Sequence, residues 1–149
     1  PPENGATWRE FLLDELKGEL DLSRIHFVGR VSRDSLTNLF QVTACHVYLT
    51  YPFVLSWSLL EAMSCQSPIV ASDTAPVKEF LENEKNSSLV DFFNYKEIAY
   101  AICESLVNKK LSRSQGVLAR KKIKDSCDLK EICLPSQFKL IEEITGKLI

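Results

Sequence analysis

Residues 46–73, HVYLTYPFVLSWSLLEAMSCQSPIVASD, constrain the fold of this chain more than any other stretch. Val47 to Tyr51 is a run of apolar and β-branched residues, the composition of a strand. It meets Pro52, which has no N–H for a sheet ladder and so closes the strand. Ser56 opens an amphipathic stretch, Trp57 to Cys65, whose only carboxylate is Glu61. A second apolar run, Pro68 to Ala71, ends at Ser72-Asp73. Strand, tight loop, helix and strand make half of a parallel α/β sheet. Ligands of such sheets sit beyond the carboxyl ends of the strands, where a loop meets a helix N-terminus. Glu61 lies just past that loop, within reach of the crevice.

The flanking sequence extends the same alternation. Apolar residues at 8, 11, 12, 13, 16 and 20 predict a surface helix over Trp8 to Leu20, after a turn-like Pro1–Gly5. Arg24 to Arg30 reads as a first strand. Ser32 caps a helix with Leu36, Leu39, Phe40 and Val42 on its buried face. Pro76 belongs in the first turn of a short helix ending near Glu82, and Ser88 to Phe92 reads as the last strand. Asn94-Tyr95-Lys96-Glu97 is a capping-box pattern opening a helix through about Val107. A further helix is expected over Leu111 to Lys124. Asp128 to Cys133 reads either way, and Leu134-Pro135 is expected to break it. Ser136 to Lys147, with apolar residues at 138, 140, 141, 144 and 148, suits a terminal helix packing back on the domain.

Strands near 25, 46, 68 and 88, each followed by a helix, require parallel pairing with right-handed crossovers. The expected order places 46–51 between 25–30 and 68–72. The fold class is therefore α/β: a Rossmann-like partial parallel sheet of about four strands, with flanking helices and a C-terminal helical segment. Residues 1–149 are expected to form a single domain, resembling such a fold with its first βαβ portion removed.

Composition narrows the partners. With 149 residues, 45% hydrophobic and 26% charged, the chain can bury a core of ordinary size. A net charge of −2 argues against nucleic acid, whose phosphates attract a basic surface. The basic clusters Lys109-Lys110 and Arg120-Lys121-Lys122 are either solvated helix ends or a peripheral contact with an anionic membrane surface or a phosphate. Five scattered cysteines with no C-x-x-C pair form neither a disulfide framework nor a zinc site. Cys45 and Cys65, in apolar runs, read as buried free thiols and point to a reducing, cytoplasmic setting. No run of apolar residues reaches membrane-spanning length, and no leader is evident.

Tyr51-Pro52, Ser56, Leu59-Leu60-Glu61-Ala62-Met63 and Pro68 to Asp73, with Phe27-Val28-Gly29-Arg30-Val31 upstream and Asn86 to Phe92 downstream, resemble the donor-binding domain of family 4 glycosyltransferases. Those enzymes have the two-domain GT-B fold, and the resemblance covers roughly residues 24–107. It implies a nucleotide-sugar donor, a glycan or lipid-linked acceptor, a further N-terminal domain, retention of anomeric configuration and no bound metal or other cofactor. It also implies an enzyme of polysaccharide or glycoconjugate synthesis, cytoplasmic or at the inner face of the membrane. The 149 residues alone are expected to be inactive, because the active site lies between two domains. Two features depart from the family: Phe53 stands where the first acid of a Glu-x7-Glu pair is usual, and Val54-Leu55 replaces a Gly-rich turn.

By that resemblance Glu61 accepts hydrogen bonds from the donor ribose, a cis-diol that suits a carboxylate. Its other reading is a solvated helical glutamate. The amides of Leu55, Ser56 and Trp57, at a helix N-terminus, face the diphosphate; Ser56 equally serves as a plain N-cap. Gly29, Arg30 and Val31 lie against the nucleobase, and Arg30 otherwise remains a solvated cation. Asp73 and Thr74 border the cleft or cap a helix. His26 and His46 read as packed strand residues, and no catalytic residue is identified. The alternative function is a non-catalytic α/β interaction module with a decayed donor site. A flavodoxin-like domain ranks behind both, for want of a phosphate loop.

Overall fold

Ile69, Val70, Ala71 and Ser72 are all buried, so this strand has no face turned to water. A strand of that kind must be paired on both edges and covered on both sides. The computed structural model describes residues 5, 7–51 and 53–146, and the chain divides into two compact units at Val31/Ser32. In the second unit Ile69–Ser72 (β2) lies between His46–Tyr48 (β1) and Ser88–Val90 (β3). Both pairings are parallel, with Val47 opposite Val70 and Ala71 opposite Leu89.

Side-chain alternation along β2 divides the core into two layers. Ile69 and Ala71 join Leu89 against helices Arg33–Val42 (α2), Trp57–Ser64 (α3), Ala75–Lys78 (α4) and Lys109–Cys127 (α6), through Phe40, Leu59, Met63, Val77 and Ile123. Val70 and Val90 face the other way, onto Ala101 of Tyr95–Val107 (α5), with Cys45, Ile98 and Ile102 alongside. Local signals start these helices as expected, except that α6 begins at Lys109 behind an Asn108 cap and not at Leu111. Ser32 accepts from the Ser35 amide, Asn94 from the Glu97 amide, and Pro76 occupies the first turn of α4. Burying Leu59, Met63 and Val70 completely contributes about 1.5–3 kcal/mol apiece.

The first unit contains the helix Trp8–Glu15 (α1), started by a capping box between Thr7 and Glu10, and a 3₁₀ turn Leu22–Arg24. The helix stops short of Leu20, and turns continue to Glu19 through Gly18, which takes φ +90°.

Four expectations are corrected. Arg24–Arg30 forms no strand: Ile25 is extended, but Phe27 and Val28 are exposed and make no ladder among the described residues. Among the described residues the parallel sheet has three strands where about four were expected, and β1 has only β2 beside it. An apolar run becomes a strand only when a partner supplies the ladder. On α2, Phe40 is buried and Leu36 half-buried, while Leu39 and Val42 are exposed, because the true apolar stripe follows i, i+4. Leu134-Pro135 does not break the chain's helical course. A π-turn, Leu129–Cys133, runs directly into Leu134–Thr145 (α7), and Pro135 occupies its first turn, where the missing N–H costs nothing. Finally, α7 has no fully buried side chain: Phe138, Leu140, Ile141 and Ile144 are exposed and only Leu134 and Glu142 are half-buried, so its expected apolar face is left largely uncovered among the described residues. Pro52, Pro1 to Asn4, Lys147 and Leu148, on which other expectations fell, lie outside the described residues.

Asn86 and His46 have structural places. Asn86, in a glycosylation sequon, is buried; its amide donates to the Phe80 carbonyl (3.1 Å) and its side-chain oxygen accepts from the Glu82 amide (2.7 Å). His46 begins β1 and meets Phe40 edge-on, centroids 5.1 Å apart, with Nε2 buried and without a hydrogen-bond partner. Burial lowers its pKa. His26, by contrast, is exposed and outside any strand.

Two predictions follow from this packing. A Cβ on Gly116 of α6 would fall on the backbone carbonyl of Gln66, which lies two residues past the end of α3 and has φ +62°. A helical glycine ordinarily gains about 0.4–1 kcal/mol on conversion to alanine. Here Gly116→Ala is expected to lose about 1–3 kcal/mol, since backbone cannot yield as a side chain does. Gln66→Gly should be neutral or stabilising; urea denaturation of both variants checks the pair.

The second concerns acid. An imidazole with a lowered folded-state pKa is protonated more readily in the unfolded chain, so its stabilising contribution is complete above about pH 6.5 and is lost as pH falls through the folded value. Glu10, Glu82 and Asp128, lowered chiefly by hydrogen bonds from Thr7, Lys85 and the Glu131 amide, act in a more acid window. His46→Leu should therefore flatten the unfolding free energy between about pH 7 and 5, measured by denaturant titration at several pH values.

Candidate functional site

The loop from β1 to α3 is fastened at two points. The Thr50 amide donates to Ser72 Oγ at 2.6 Å, from the fully buried last residue of β2. The Ser56 amide donates to the Tyr48 hydroxyl at 3.1 Å. Ser56 Oγ in turn accepts from the Ser58 amide at 3.3 Å, so Ser56 is the N-cap of α3. These bonds set the start of α3 at the carboxyl edge of the sheet.

Of the three amides expected at the N-terminus of α3, that of Ser56 is therefore engaged within the chain. Those of Leu55 and Trp57 have no acceptor among the described residues. They leave two donors at the positive end of a helix. The Leu55 side chain packs against the core, whereas Trp57 is 81% exposed.

Glu61 follows one turn later and is half-buried. Its Oε1 lies 3.2 Å from Arg33 Nη2, at the first residue of α2. The two helices are in contact, and Phe40 of α2 shares one core cluster with Leu59 and Met63 of α3, which fixes the helices that carry the two charges. With Arg33 largely exposed, the pair adds only about 0–1 kcal/mol to stability. Its effect is orientational: one carboxylate oxygen is held by the guanidinium. Arg33 was missed in the sequence. Its signal was a cation directly after the Ser32 cap, where the helix dipole disfavours positive charge.

The structure adds an aromatic cluster at the same edge. Tyr51, after β1, meets Phe92 and Phe93, after β3, at centroid separations of 5.9 and 5.4 Å. Phe92 and Phe93 are 5.0 Å apart, edge to face. The signal for it was an aromatic residue within three positions of two strand ends. Phe53 and Val54 are exposed in the β1–α3 loop, so the aromatic side chain at 53 is not a core residue. Asp73 pairs with Lys78 at 2.6 Å, and Thr74 begins α4 with its hydroxyl buried and unpartnered. Glu79 is exposed.

Ser56, Leu55, Trp57 and Glu61 thus share the first two turns of α3 and its approach. Gly29, Arg30 and Val31 belong to the first unit, where Gly29 takes φ +63° and Arg30 is exposed. No group of His, Cys, Asp and Glu suited to a metal ion occurs among the described residues. All five cysteines are free, and burial pushes the half-buried Cys45 and Cys65 thiols up. No helix among the described residues is long and apolar enough to cross a membrane.

The family described as glycosyl transferases group 1 matches residues 7–122. Sucrose-phosphate synthase from Thermosynechococcus elongatus has a similar fold, with TM-score 0.76 and 22% identity over 93% of this chain and 34% of that one. TarM aligns with TM-score 0.74 and 19% identity over 89% of this chain and 26% of its own. Anabaena HepE, solved in complex with UDP-glucose, aligns with TM-score 0.66 and 16% identity over 94% of this chain and 38% of its own. The chain therefore spans well under half the length of these structures. No curated protein matches.

Removing the Ser72 hydroxyl tests how the loop is held. Ser72→Ala leaves the Thr50 amide without its acceptor and should cost about 1–3 kcal/mol. Hydrogen exchange should quicken at Thr50 before it does in β2. Equal protection of Thr50 in both proteins would show that the loop is held by other contacts.

Proposed function

The chain belongs to the group 1 glycosyl transferases, and we propose that it forms the donor-binding part of a retaining GT-B enzyme. In this reading the enzyme moves a sugar from a nucleoside diphosphate sugar to a glycan or lipid-linked acceptor. The observation that carries it is the pairing, on one helix at the carboxyl edge, of two free N-terminal amides with an oriented carboxylate. The UDP-glucose bound to a fold of the same kind supports a donor of that class.

The roles follow from chemistry. A departing diphosphate carries negative charge, which the Leu55 and Trp57 amides and the positive end of α3 stabilise. Ser56 contributes its hydroxyl and its cap, because its amide is already donated to Tyr48. Glu61 accepts from the ribose hydroxyls, and Arg33 steadies it without touching the donor. Gly29, Arg30 and Val31, expected against the nucleobase, belong to the first unit. The acceptor and the reacting hydroxyl are supplied through a further domain, so these 149 residues by themselves bind donor weakly and transfer nothing. No resident cofactor is required in this scheme. Free thiols support a cytoplasmic setting, and polysaccharide or glycoconjugate synthesis is the proposed context.

Phe53 supports a second reading, an interaction module that has lost transfer activity. It places an exposed aromatic ring in the loop where the family pattern has an acid.

Kinetics separate the two readings. In an enzyme containing this chain and its acceptor domain, Glu61→Gln exchanges one acceptor oxygen for a donor and loses a charge-assisted bond. The expected loss in kcat/KM is about ten- to a hundredfold, or about 1.5–3 kcal/mol. Arg33→Gln should lower it less, and neither change should move the melting temperature by more than a few degrees. If Glu61→Gln retains full kcat/KM, Glu61 serves only the ion pair and the donor reading fails. An increase in activity with Phe53→Glu would favour the decayed-site reading.

A further inference from the structure

The basic residues of α6 follow a geometry that the donor site does not explain. The helix carries Lys109, Lys110, Arg113, Arg120, Lys121, Lys122 and Lys124 against a single acid, Asp125, on a chain of net charge −2. At about 100° per residue all of these cations except Lys122 fall within an arc of about 120°. All six are exposed, while Ser112, Gly116, Ala119 and Ile123 face the core from the adjoining arc. The stripe runs about 22 Å from Lys109 to Lys124. Only Lys121 in it is paired among the described residues, to Asp125 at 2.6 Å.

Two recesses open along this stripe and share Val117. One, about 500 Å³, is bordered by Lys109 and Arg113 and has no carboxylate in its lining. The other, about 260 Å³, is bordered by Arg120, Lys121, Lys124 and Asp125. Five of the six cations thus border one or other of these depressions, the second of them shallow and open, and Lys110 borders neither.

We propose that the exposed face of α6 docks on an anionic lipid bilayer, the recesses receiving phosphate-bearing headgroups. Charge complementarity argues for an anionic partner, and three features favour a membrane over a nucleic acid. The stripe is straight and one-sided, as contact with a plane requires. Lysines outnumber arginines, and a lysine acts as a point charge without bidentate readout. α6 contains no aromatic residue on which a base could stack, while Val117 and Leu118 are exposed on or beside the stripe to meet the headgroup boundary. The proposal is independent of the donor reading, since it uses none of its residues.

Flotation of the 149-residue chain with phosphatidylcholine vesicles, with or without about one-third phosphatidylserine, tests it. Binding is expected only to the anionic vesicles and should fall as salt is raised. Each neutralised cation should weaken it about fivefold, so Arg113→Gln/Arg120→Gln/Lys124→Gln should lose about a hundredfold with an unchanged circular dichroism spectrum. Lys17→Gln/Lys96→Gln/Lys139→Gln, which removes the same charge elsewhere, should retain most of the binding. The proposal is overturned by equal binding to both vesicles, by no binding to the anionic ones, or by equal losses in the two triple variants. Tighter binding of a single-stranded oligonucleotide in competition would also overturn it, and would make the stripe a polyanion site.

Discussion

A four-residue strand with both faces and both edges covered is the constraint on which the second unit depends. β2 is hydrogen-bonded to β1 and β3, and its side chains alternate between two apolar layers. Shifting it by one residue would exchange Ile69 and Ala71 with Val70 and Ser72, placing a hydroxyl in the larger layer. Its entry is fixed as tightly. The backbone at Gln66 approaches α6 so closely that only glycine fits at position 116. That contact couples the turn after α3 to α6 and so sets the thickness of the larger layer.

The same strand organises the candidate site. Ser72 ends β2 and holds the Thr50 amide, Tyr48 ends β1 and holds the Ser56 amide, and α3 begins where those bonds leave it. The arrangement engages one amide and leaves its neighbours open, a division that follows from Tyr48 lying eight residues before Ser56. Glu61 is then placed by helix packing. Because α2 and α3 are in contact and share one core cluster, the guanidinium of Arg33 arrives at one carboxylate oxygen. The rigid core thus positions a polar group that adds little to stability.

Charge is segregated in the same way. The sheet's carboxyl edge carries Glu61 and Asp73, each answered by one cation, Arg33 and Lys78. α6 gathers its cations on one exposed flank with only Asp125 as an internal partner. The near-neutral total conceals this separation, and only a helix of 19 residues displays it as a continuous stripe.

Features governed by neighbours in sequence were legible in advance. The Ser32, Ser56 and Asn94 caps, the Pro76 start and the parallel strands near 46, 68 and 88 depend on residues within a turn or two, where side-chain chemistry and periodicity act directly. So did the position of Glu61 on the helix after the first of these strands. What the sequence left open needed partners distant along the chain. Arg24–Arg30 has strand composition but gains no ladder, and α7 has an amphipathic pattern but buries none of its side chains fully. The Arg33–Glu61 pair, the Tyr51–Phe92–Phe93 cluster and the buried orphan hydroxyl of Thr74 join or isolate groups through packing alone. Sequence by itself determined the Ser32, Ser56 and Asn94 caps, the Pro76 start and which strands run parallel, because those choices are local or follow from crossover geometry. Tertiary structure decided which extended segment became a strand and which polar groups met, because ladder bonds and charge contacts exist only once the chain has folded.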